Sequence, residues 1–340
     1  MENALKFFMG MDVSKLWVDI AVMKVENHQK QPMTCQRFDN NTAGIKELDK
    51  WLRSLEVSFD SNTLLVIENT GVYHRMIWEY CTNKNLPIHI GNAAHIKWSL
   101  GIIRGKNDKV DSQRLCSYAY KNADELKATP KLDRIFLTLK DLYTSRNRLL
   151  TQINSIKVFL GELKGTSSKE VHDIMVEAHQ SAINGLKESM AKVEAQIKGI
   201  ITENNGIKTN YHLLLTVPGI GHLTALYLIC CTNNFIANPS GKQLGSYAGV
   251  VPYGNTSGTS INGKDKVHKM ANKELKKLLH MGAVSAITHN LEFRDYYERK
   301  TAQGKNGQSV LNAIRNKIVI RAVSVIKNQK KYVDNYKKVA

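Results

Sequence analysis

Residues 7–23 read FFMGMDVSKLWVDIAVM, and this stretch decides the first domain. Two apolar runs flank a short polar step at Ser14 and Lys15, which predicts two β-strands joined by a tight turn. Asp12 interrupts the first run, and a carboxylate there is costly to bury unless it is paired or binds a metal. The stretch therefore predicts a β-hairpin that carries an acid with a specific role.

The segment that follows alternates between helix and strand. Its periodicity predicts helices over residues 45–55, 73–82 and 109–120, and strands over residues 64–67 and 87–90. A hairpin followed by alternating helices and strands is typical of an α/β domain of the ribonuclease-H type. We place this domain at residues 1–125.

Three further acids complete a candidate site with Asp12. Glu68 ends the second apolar strand, and Asp108 and Asp111 lie three residues apart on a predicted helix, where they share a face. Helix capping is an equally good explanation of Asp108. Carboxylates that converge in this way can bind Mg²⁺ or Mn²⁺, which activates a nucleophile against a phosphodiester.

The composition favours a polyanionic partner. The chain has 48 Lys and Arg against 30 Asp and Glu, a net charge of +18, and a pI near 9.6. Such an excess predicts binding to DNA or RNA through counterion release, although a basic protein without such a partner stays an alternative. The five cysteines form no zinc-binding pattern, and neither a signal peptide nor a membrane span is indicated. We expect a cytoplasmic bacterial protein with no membrane partner, associated with the nucleoid when it acts on DNA.

Residues 126–207 differ from the first domain in their pattern. Leu142, Leu149, Ile156 and Leu163 are seven residues apart, and a second heptad run begins at Ile183. Two such helices, split near residues 165–168, predict an antiparallel coiled-coil hairpin or a dimer interface, with an ordinary helical core as the alternative. We expect a homo-oligomer, either a dimer or a tetramer.

Residues 208–340 form the third predicted domain, which is mainly helical. TVPGIG resembles the turn of a helix-hairpin-helix, in which backbone amides approach a phosphate; a plain glycine turn is the alternative. A loop rich in Gly, Ser and Thr follows, with basic residues after it and a helix from about Lys273. A hydroxyl beside basic groups is a plausible nucleophile, and both Ser257 and Ser260 lie in this loop.

Two sets of motifs carry a resemblance to a known family. GMDVSK, VIENTG and KNDKVDSQRL resemble, in that order, the motifs of the DEDD-type insertion-sequence transposases, the IS110 family, to which Piv-type DNA invertases are related. TVPGIG, LGSYAGVVPY, SGTSINGK and KMANKELKKLL are similar to that family's second domain, and the SGTSI form is closer to the IS1111 branch. Many relatives have a glycine in place of Ala271.

The resemblance implies a RuvC-like first domain and a C-terminal transposase domain. The metal ligands would be Asp12, Glu68, Asp108 and Asp111, and the nucleophile would be Ser257. The implied reaction is serine attack on donor and target DNA through a covalent DNA–serine ester, guided by a structured noncoding RNA. A site-specific invertase, a Holliday-junction nuclease using metal-activated water, and a non-catalytic DNA-binding protein are the alternatives. Because a long spacer separates the acids from Ser257, we expect a site built from two chains.

Overall fold

The computed structural model describes residues 6–101, 108–257, 261–268 and 270–334. For Asp108, and for several residues of the strands around residue 257, only the backbone is described. The chain divides into two compact units, Met1–Leu132 and Asp133–Ala340. Each unit has its own hydrophobic core and is described separately below.

The N-terminal unit is an α/β structure built on one mixed sheet. Its strands are β1 (Phe7–Val13), β2 (Trp17–Glu26), β3 (Gln29–Lys30), β4 (Thr34–Asp39), β5 (Thr63–Glu68) and β6 (Ile88–Gly91). Its helices are α1 (Thr42–Ser54), α2 (Arg75–Lys84), α3 (Ala93–Ser99) and α4 (Asp108–Lys121). The strand order is β3-β2-β1-β5-β6, and β4 also pairs with β2. β1 runs antiparallel to β2 and parallel to β5, while β5 runs parallel to β6.

The two faces of this sheet carry different helices. Met9 and Met11 of β1 pack in one cluster with Leu48 of α1 and Ile77 of α2. On the opposite face, Phe8 packs in a second cluster with residues of α4 such as Leu115 and Cys116. Alternate residues of β1 therefore face different helices, as the period of a strand requires.

Gly10 lets α4 lie directly on β1. A Cβ added at this position would be 2.0 Å from the backbone nitrogen of Cys116 and 2.3 Å from the carbonyl oxygen of Ser112. The Cys116 thiol also donates a hydrogen bond to the carbonyl of Phe8 over 3.2 Å. The absence of a side chain at Gly10 thus sets the distance between this helix and the sheet.

The predicted hairpin is confirmed, and so are the other predicted helices and strands of this unit, with shifts of up to three residues at their ends. Three elements were not predicted: the two-residue strand β3, strand β4 and helix α3. β4 reads TCQRFD and buries only Phe38, so it lacks the apolar alternation that identifies a strand. Its pairing with β2 makes it a strand.

The C-terminal unit is mostly helical. Its helices are α5 (Arg134–Thr166), α6 (Lys169–Glu203), α7 (Asn205–Leu215), α8 (His222–Thr232), α9 (Gly241–Tyr247), α10 (Lys273–His289), α11 (Leu291–Ala302) and α12 (Gly307–Asn328). Strands β7 (Pro252–Ser257) and β8 (Ile261–Val267) form an antiparallel pair. The core draws on all eight of these helices and includes Leu214, Leu279 and Ile318, which are fully buried. In the described ranges, no helix is long and apolar enough to cross a membrane.

Helices α5 and α6 form an antiparallel hairpin. Arg146 in the first half of α5 pairs with Glu194 in the second half of α6 over 2.8 Å, and Phe159 contacts His179 closer to the connecting turn. The turn at residues 167–168 lies where the heptads predicted a break. The finer prediction, coiled-coil packing, stays a prediction.

The PGIG turn is explained by packing. Gly219 has a positive φ of 88°, and a Cβ there would be 2.8 Å from the carbonyl oxygen of Gly282 on α10. Because neither residue has a side chain, the turn and the helix come into close contact. A phosphate-binding role for this turn stays a prediction.

Gly10→Ala tests the close approach of α4 to β1. The added methyl group would meet helix backbone, so α4 has to move, and we expect the free energy of unfolding to fall by about 1–3 kcal/mol. Urea denaturation measures the change. Gly185→Ala on α6 is the matched control, since nothing lies within 4 Å of its added Cβ, and it should stabilise by about 0.5–1 kcal/mol. Unchanged stability of the Gly10→Ala protein would contradict the close approach.

Candidate active site

Asp12 and Glu68 lie side by side on neighbouring parallel strands. The register pairs Gly10 with Val66 and Met11 with Ile67, so Asp12 and Glu68 are the next pair. Adjacent strands are about 4.8 Å apart, and paired residues point to the same face. Both side chains are partly exposed and lie on the sheet face that α4 covers.

Helix α4 brings the other two acids to the same edge of the sheet. Cys116 lies beside Phe8, and Ser112 lies beside Gly10, so α4 runs in the opposite direction to β1. Four residues of helix rise about 6 Å and two residues of strand about 6.6 Å. The first turn of α4, which begins at Asp108, therefore lies at the level of Asp12.

The described acids share this edge without forming a closed ligand set. Asp111 is partly exposed and receives a hydrogen bond from Arg114 over 2.7 Å, one helical turn away. Asp108 begins α4, but its side chain lies outside the described residues. Among the side chains that are described, no three of His, Cys, Asp or Glu converge closely enough to hold a metal ion.

Ser257 ends strand β7 in the C-terminal unit. Its backbone pairs with Ile261 of β8, although its side chain is not among those described. Ser260, the rival serine, lies outside the described residues. The sequence predicted a loop here, and that prediction was wrong for the flanking residues, which form an antiparallel hairpin with an irregularity between Tyr253 and Asn255. Pairing between the two arms stabilises strands that have low intrinsic propensity.

Asn272 anchors the base of this hairpin. Its backbone N–H donates to the carbonyl of Tyr247 at the end of α9 over 2.8 Å. The segment that carries the hairpin therefore begins and ends at neighbouring points. Its side chain also accepts from the Leu275 N–H, which caps α10, and from the Tyr227 hydroxyl. Ala271 lies against Gly249, since a Cβ added at Gly249 would be 2.3 Å from the Ala271 methyl group.

Comparison with known proteins matches both units to transposases. A model of the DEDD-type IS110 transposases covers residues 9–162, and a model described as "Transposase IS116/IS110/IS902 family" covers residues 211–298. The chain belongs to the IS110 family of transposases and recombinases. This IS110-family protein is therefore a DNA recombinase that binds DNA, and its family implies the use of a divalent metal in general.

Relatives of this IS110-family protein include DNA-inverting proteins. The pilin gene-inverting protein of Moraxella bovis is 28% identical over 333 residues, which cover 96% of this chain and 98% of that protein. The pilin gene-inverting protein of Moraxella lacunata has the same identity and coverage. A 43.6 kDa protein of insertion element IS110 from Streptomyces coelicolor is 30% identical over 149 residues, covering 44% of this chain and 36% of that protein.

Sequence reasoning missed one charged pair at the site of this IS110-family protein. Asp19 on β2 is the direct partner of Asp12 across the hairpin and is only 6% exposed. Arg37 on β4 donates to both oxygens of Asp19, at 2.8 and 3.1 Å. Arg37, Asp19, Asp12 and Glu68 thus form a row across four strands. The signal was an acid in the apolar run of β2, but its partner lay on the unpredicted strand.

Arg37→Leu tests whether this pair stabilises the fold. We expect the free energy of unfolding to fall by about 1–3 kcal/mol, because buried Asp19 loses its cation while Asp12 stays beside it. Arg53→Leu is the matched control, since Asp49 keeps Lys84 at 3.1 Å and Tyr80 at 2.9 Å. That control should lose less than about 1 kcal/mol in the same urea titration. Equal losses in the two variants would show that Arg37 has no special role.

Proposed function

We propose that the protein is a metal-dependent DNA transposase that cleaves and exchanges strands through a covalent serine–DNA intermediate. The observation that carries the proposal is the adjacency of Asp12 and Glu68 on one face of the sheet, with the first turn of α4 at the same level. Four carboxylates at one sheet edge form the kind of site that such a reaction requires.

A RuvC-like assignment of the N-terminal unit is part of this proposal. Its support is the sheet itself, in which a three-stranded antiparallel part (β4, β2, β1) continues into the parallel strands β5 and β6. This order agrees with the ribonuclease-H type that the sequence predicts. The domain limits 1–125, 126–207 and 208–340 stay predictions.

The donor set fits a hard divalent cation. Asp12, Glu68, Asp108 and Asp111 offer only carboxylate oxygens, which Mg²⁺ and Mn²⁺ prefer to nitrogen or sulfur ligands. When bound, the metal would polarise a phosphodiester oxygen and stabilise developing negative charge. Asp12 and Glu68 would keep fixed positions, because each belongs to a strand of the sheet.

Ser257 is the proposed nucleophile. Its Oγ would attack phosphorus as the hydroxyl proton leaves, so that an Oγ–P bond forms. The bond from phosphorus to the deoxyribose oxygen would break, and that oxygen would take up a proton. The ester conserves the phosphodiester energy, so a second deoxyribose hydroxyl can displace the serine and join the exchanged strand. The support is the hairpin, which presents Ser257 at the end of a strand.

A groove in the C-terminal unit supports additional nucleic-acid contacts. It has a volume of about 630 Å³. Its walls include Lys140, Tyr143, Arg148, Tyr227, Glu274 and Lys277. Cations beside aromatic rings suit a nucleic-acid backbone and its bases. Burial raises the pKa of Tyr227 to about 12, so its hydroxyl ionises less readily than that of an exposed tyrosine.

Glu274 offsets one of the three cations of this groove, Lys140, Arg148 and Lys277, so the groove keeps a net positive charge. Burial raises the pKa of Glu274, but hydrogen bonds from Lys277 and Tyr143 outweigh it and hold the pKa below its ordinary value. The carboxylate is thereby committed to these two partners, at 2.8 and 2.5 Å.

The guide RNA implied by the family resemblance, and an assembly of two or four copies, are further parts of the proposal.

DNA inversion is the second candidate function. The observation in its favour is the match to two pilin gene-inverting proteins along nearly the whole chain. The same cleavage chemistry serves both functions, so the DNA around the gene discriminates between them. Element ends and a noncoding RNA gene indicate a transposase, whereas an adjoining invertible segment indicates an invertase.

Asp12→Asn combined with Glu68→Gln tests the metal site. DNA binding should persist, while Mg²⁺-dependent cleavage should fall at least about a hundredfold, because a bound metal contributes several kcal/mol to the barrier. Gel analysis of labelled DNA measures cleavage, and isothermal titration with Mn²⁺ measures metal binding. Asp124→Asn, an exposed acid beyond α4, is the matched control. Full activity of the double variant would end the metal-site proposal. Ribonuclease digestion of the unaltered protein before the same assay tests whether the reaction requires a guide RNA.

Ser257→Ala tests the nucleophile. Denatured reaction mixtures of the unaltered protein should contain protein covalently joined to DNA, because the ester survives unfolding. The Ser257→Ala protein should form no adduct, and Ser260→Ala should form it normally; denaturing gel electrophoresis with labelled DNA reads both. Loss with Ser260→Ala alone would transfer the role to Ser260. Cleavage without any adduct would favour a nuclease that uses metal-activated water.

A further inference from the structure

The exposed apolar side chains of the N-terminal unit gather at one edge of its sheet. In the described part of this unit, the large hydrophobic residues that are exposed are Leu16, Val72, Tyr73, Trp98 and Val110. Each follows the carboxyl end of β1, β5 or β6, or lies in the first turn of α4. They therefore surround the edge at which Asp12 and Glu68 lie. We call these five residues the apolar rim.

Hydrogen bonds hold one side of the rim together. The side-chain amide of Asn40 donates to the carbonyls of Ser14 and Tyr73, at 2.8 and 3.0 Å. Its backbone N–H donates to the carbonyl of Leu16 over 2.8 Å. The turn after β1 and the loop after β5 are thereby fixed to each other, so Leu16 and Tyr73 belong to one ordered surface.

Helix α3 builds the other side of the rim. Ile96 is fully buried and lies against Gly91, the last residue of β6. Two residues along a helix turn the side chain by about 200°, so Trp98 faces away from the core. Its side chain is 62% exposed. Burial of Ile96 is thus what presents Trp98 to solvent.

Positive charge is interleaved with the rim. Lys15 adjoins Leu16, Lys97 adjoins Trp98, and Lys109 adjoins Val110, and all three lysines are exposed. An intact duplex presents phosphates to a protein surface but keeps the flat faces of its bases stacked inside. Aromatic side chains between cations instead match unpaired nucleic acid, whose bases stack on rings while the phosphates meet the lysines.

We propose that the apolar rim binds unpaired bases of the DNA strand undergoing cleavage, with Trp98 and Tyr73 as the stacking platforms. The proposal rests on the proposed function in one respect, namely that the carboxylate edge is the site of cleavage. Strand exchange requires bases to leave one partner before they pair with another. Stacking on the rim offsets the stacking that those bases lose, and it does so for any base sequence.

Trp98→Ala and Tyr73→Ala test the rim by binding alone. Fluorescence anisotropy compares a short duplex with the same duplex carrying a central unpaired bubble, without divalent metal. Each variant should bind the bubble about five- to a hundredfold more weakly and the duplex within about twofold of the unaltered protein. Trp98→Phe should restore most of the bubble affinity, since it retains a ring. Phe159→Ala, a similarly exposed aromatic on α5, is the matched control and should bind both probes normally.

The possible results separate this proposal from its rivals. Unchanged bubble affinity in both alanine variants would overturn it, and so would equal losses on bubble and duplex. Unchanged DNA binding together with an altered oligomeric state would assign the rim to a protein interface. Poly(dT) and poly(rU) probes distinguish the source of the bases, and a loss confined to poly(rU) would assign the rim to RNA. Because no metal or cleavage is involved, failure here leaves the Asp12→Asn and Glu68→Gln test of the metal site unaffected.

Discussion

The contact of α4 with β1 at Gly10 is the constraint on which the N-terminal unit depends. Helix backbone lies where a side chain would be, so the helix and the strand are held at a separation that only glycine permits. That contact fixes the register of the two elements. As a result, the first turn of α4 comes to the level of Asp12, and acids almost a hundred residues apart in the chain share one edge.

Electrostatics explains why this edge needs more than the four acids. Carboxylates on adjacent strands repel one another, and repulsion at short distance in a partly buried setting is costly. Arg37 neutralises Asp19, and Arg114 pairs with Asp111, so cations lie on two sides of Asp12 and Glu68. The arrangement lowers the electrostatic cost of gathering negative charge at this edge of the sheet.

The C-terminal unit holds its serine hairpin by a different principle. Asn272 joins the end of α9 to the start of α10, and its side chain also bonds the hydroxyls of Tyr227 and Tyr247. The hairpin therefore projects from a fixed base. Its strands themselves contain few apolar residues, which suits a segment that meets a polar substrate rather than a core.

The sequence by itself determined the α/β character of the N-terminal unit, the β1–β2 hairpin and the long helices of the C-terminal unit, because hydrophobic periodicity is a local property. Family motifs also identified the candidate acids and Ser257. Only the tertiary structure decided that Asp19 and Arg37 pair beside Asp12, that β4 is a strand, and that the exposed rim gathers at one edge. These features arise from strand pairing and helix packing between distant segments, and no local pattern encodes such contacts.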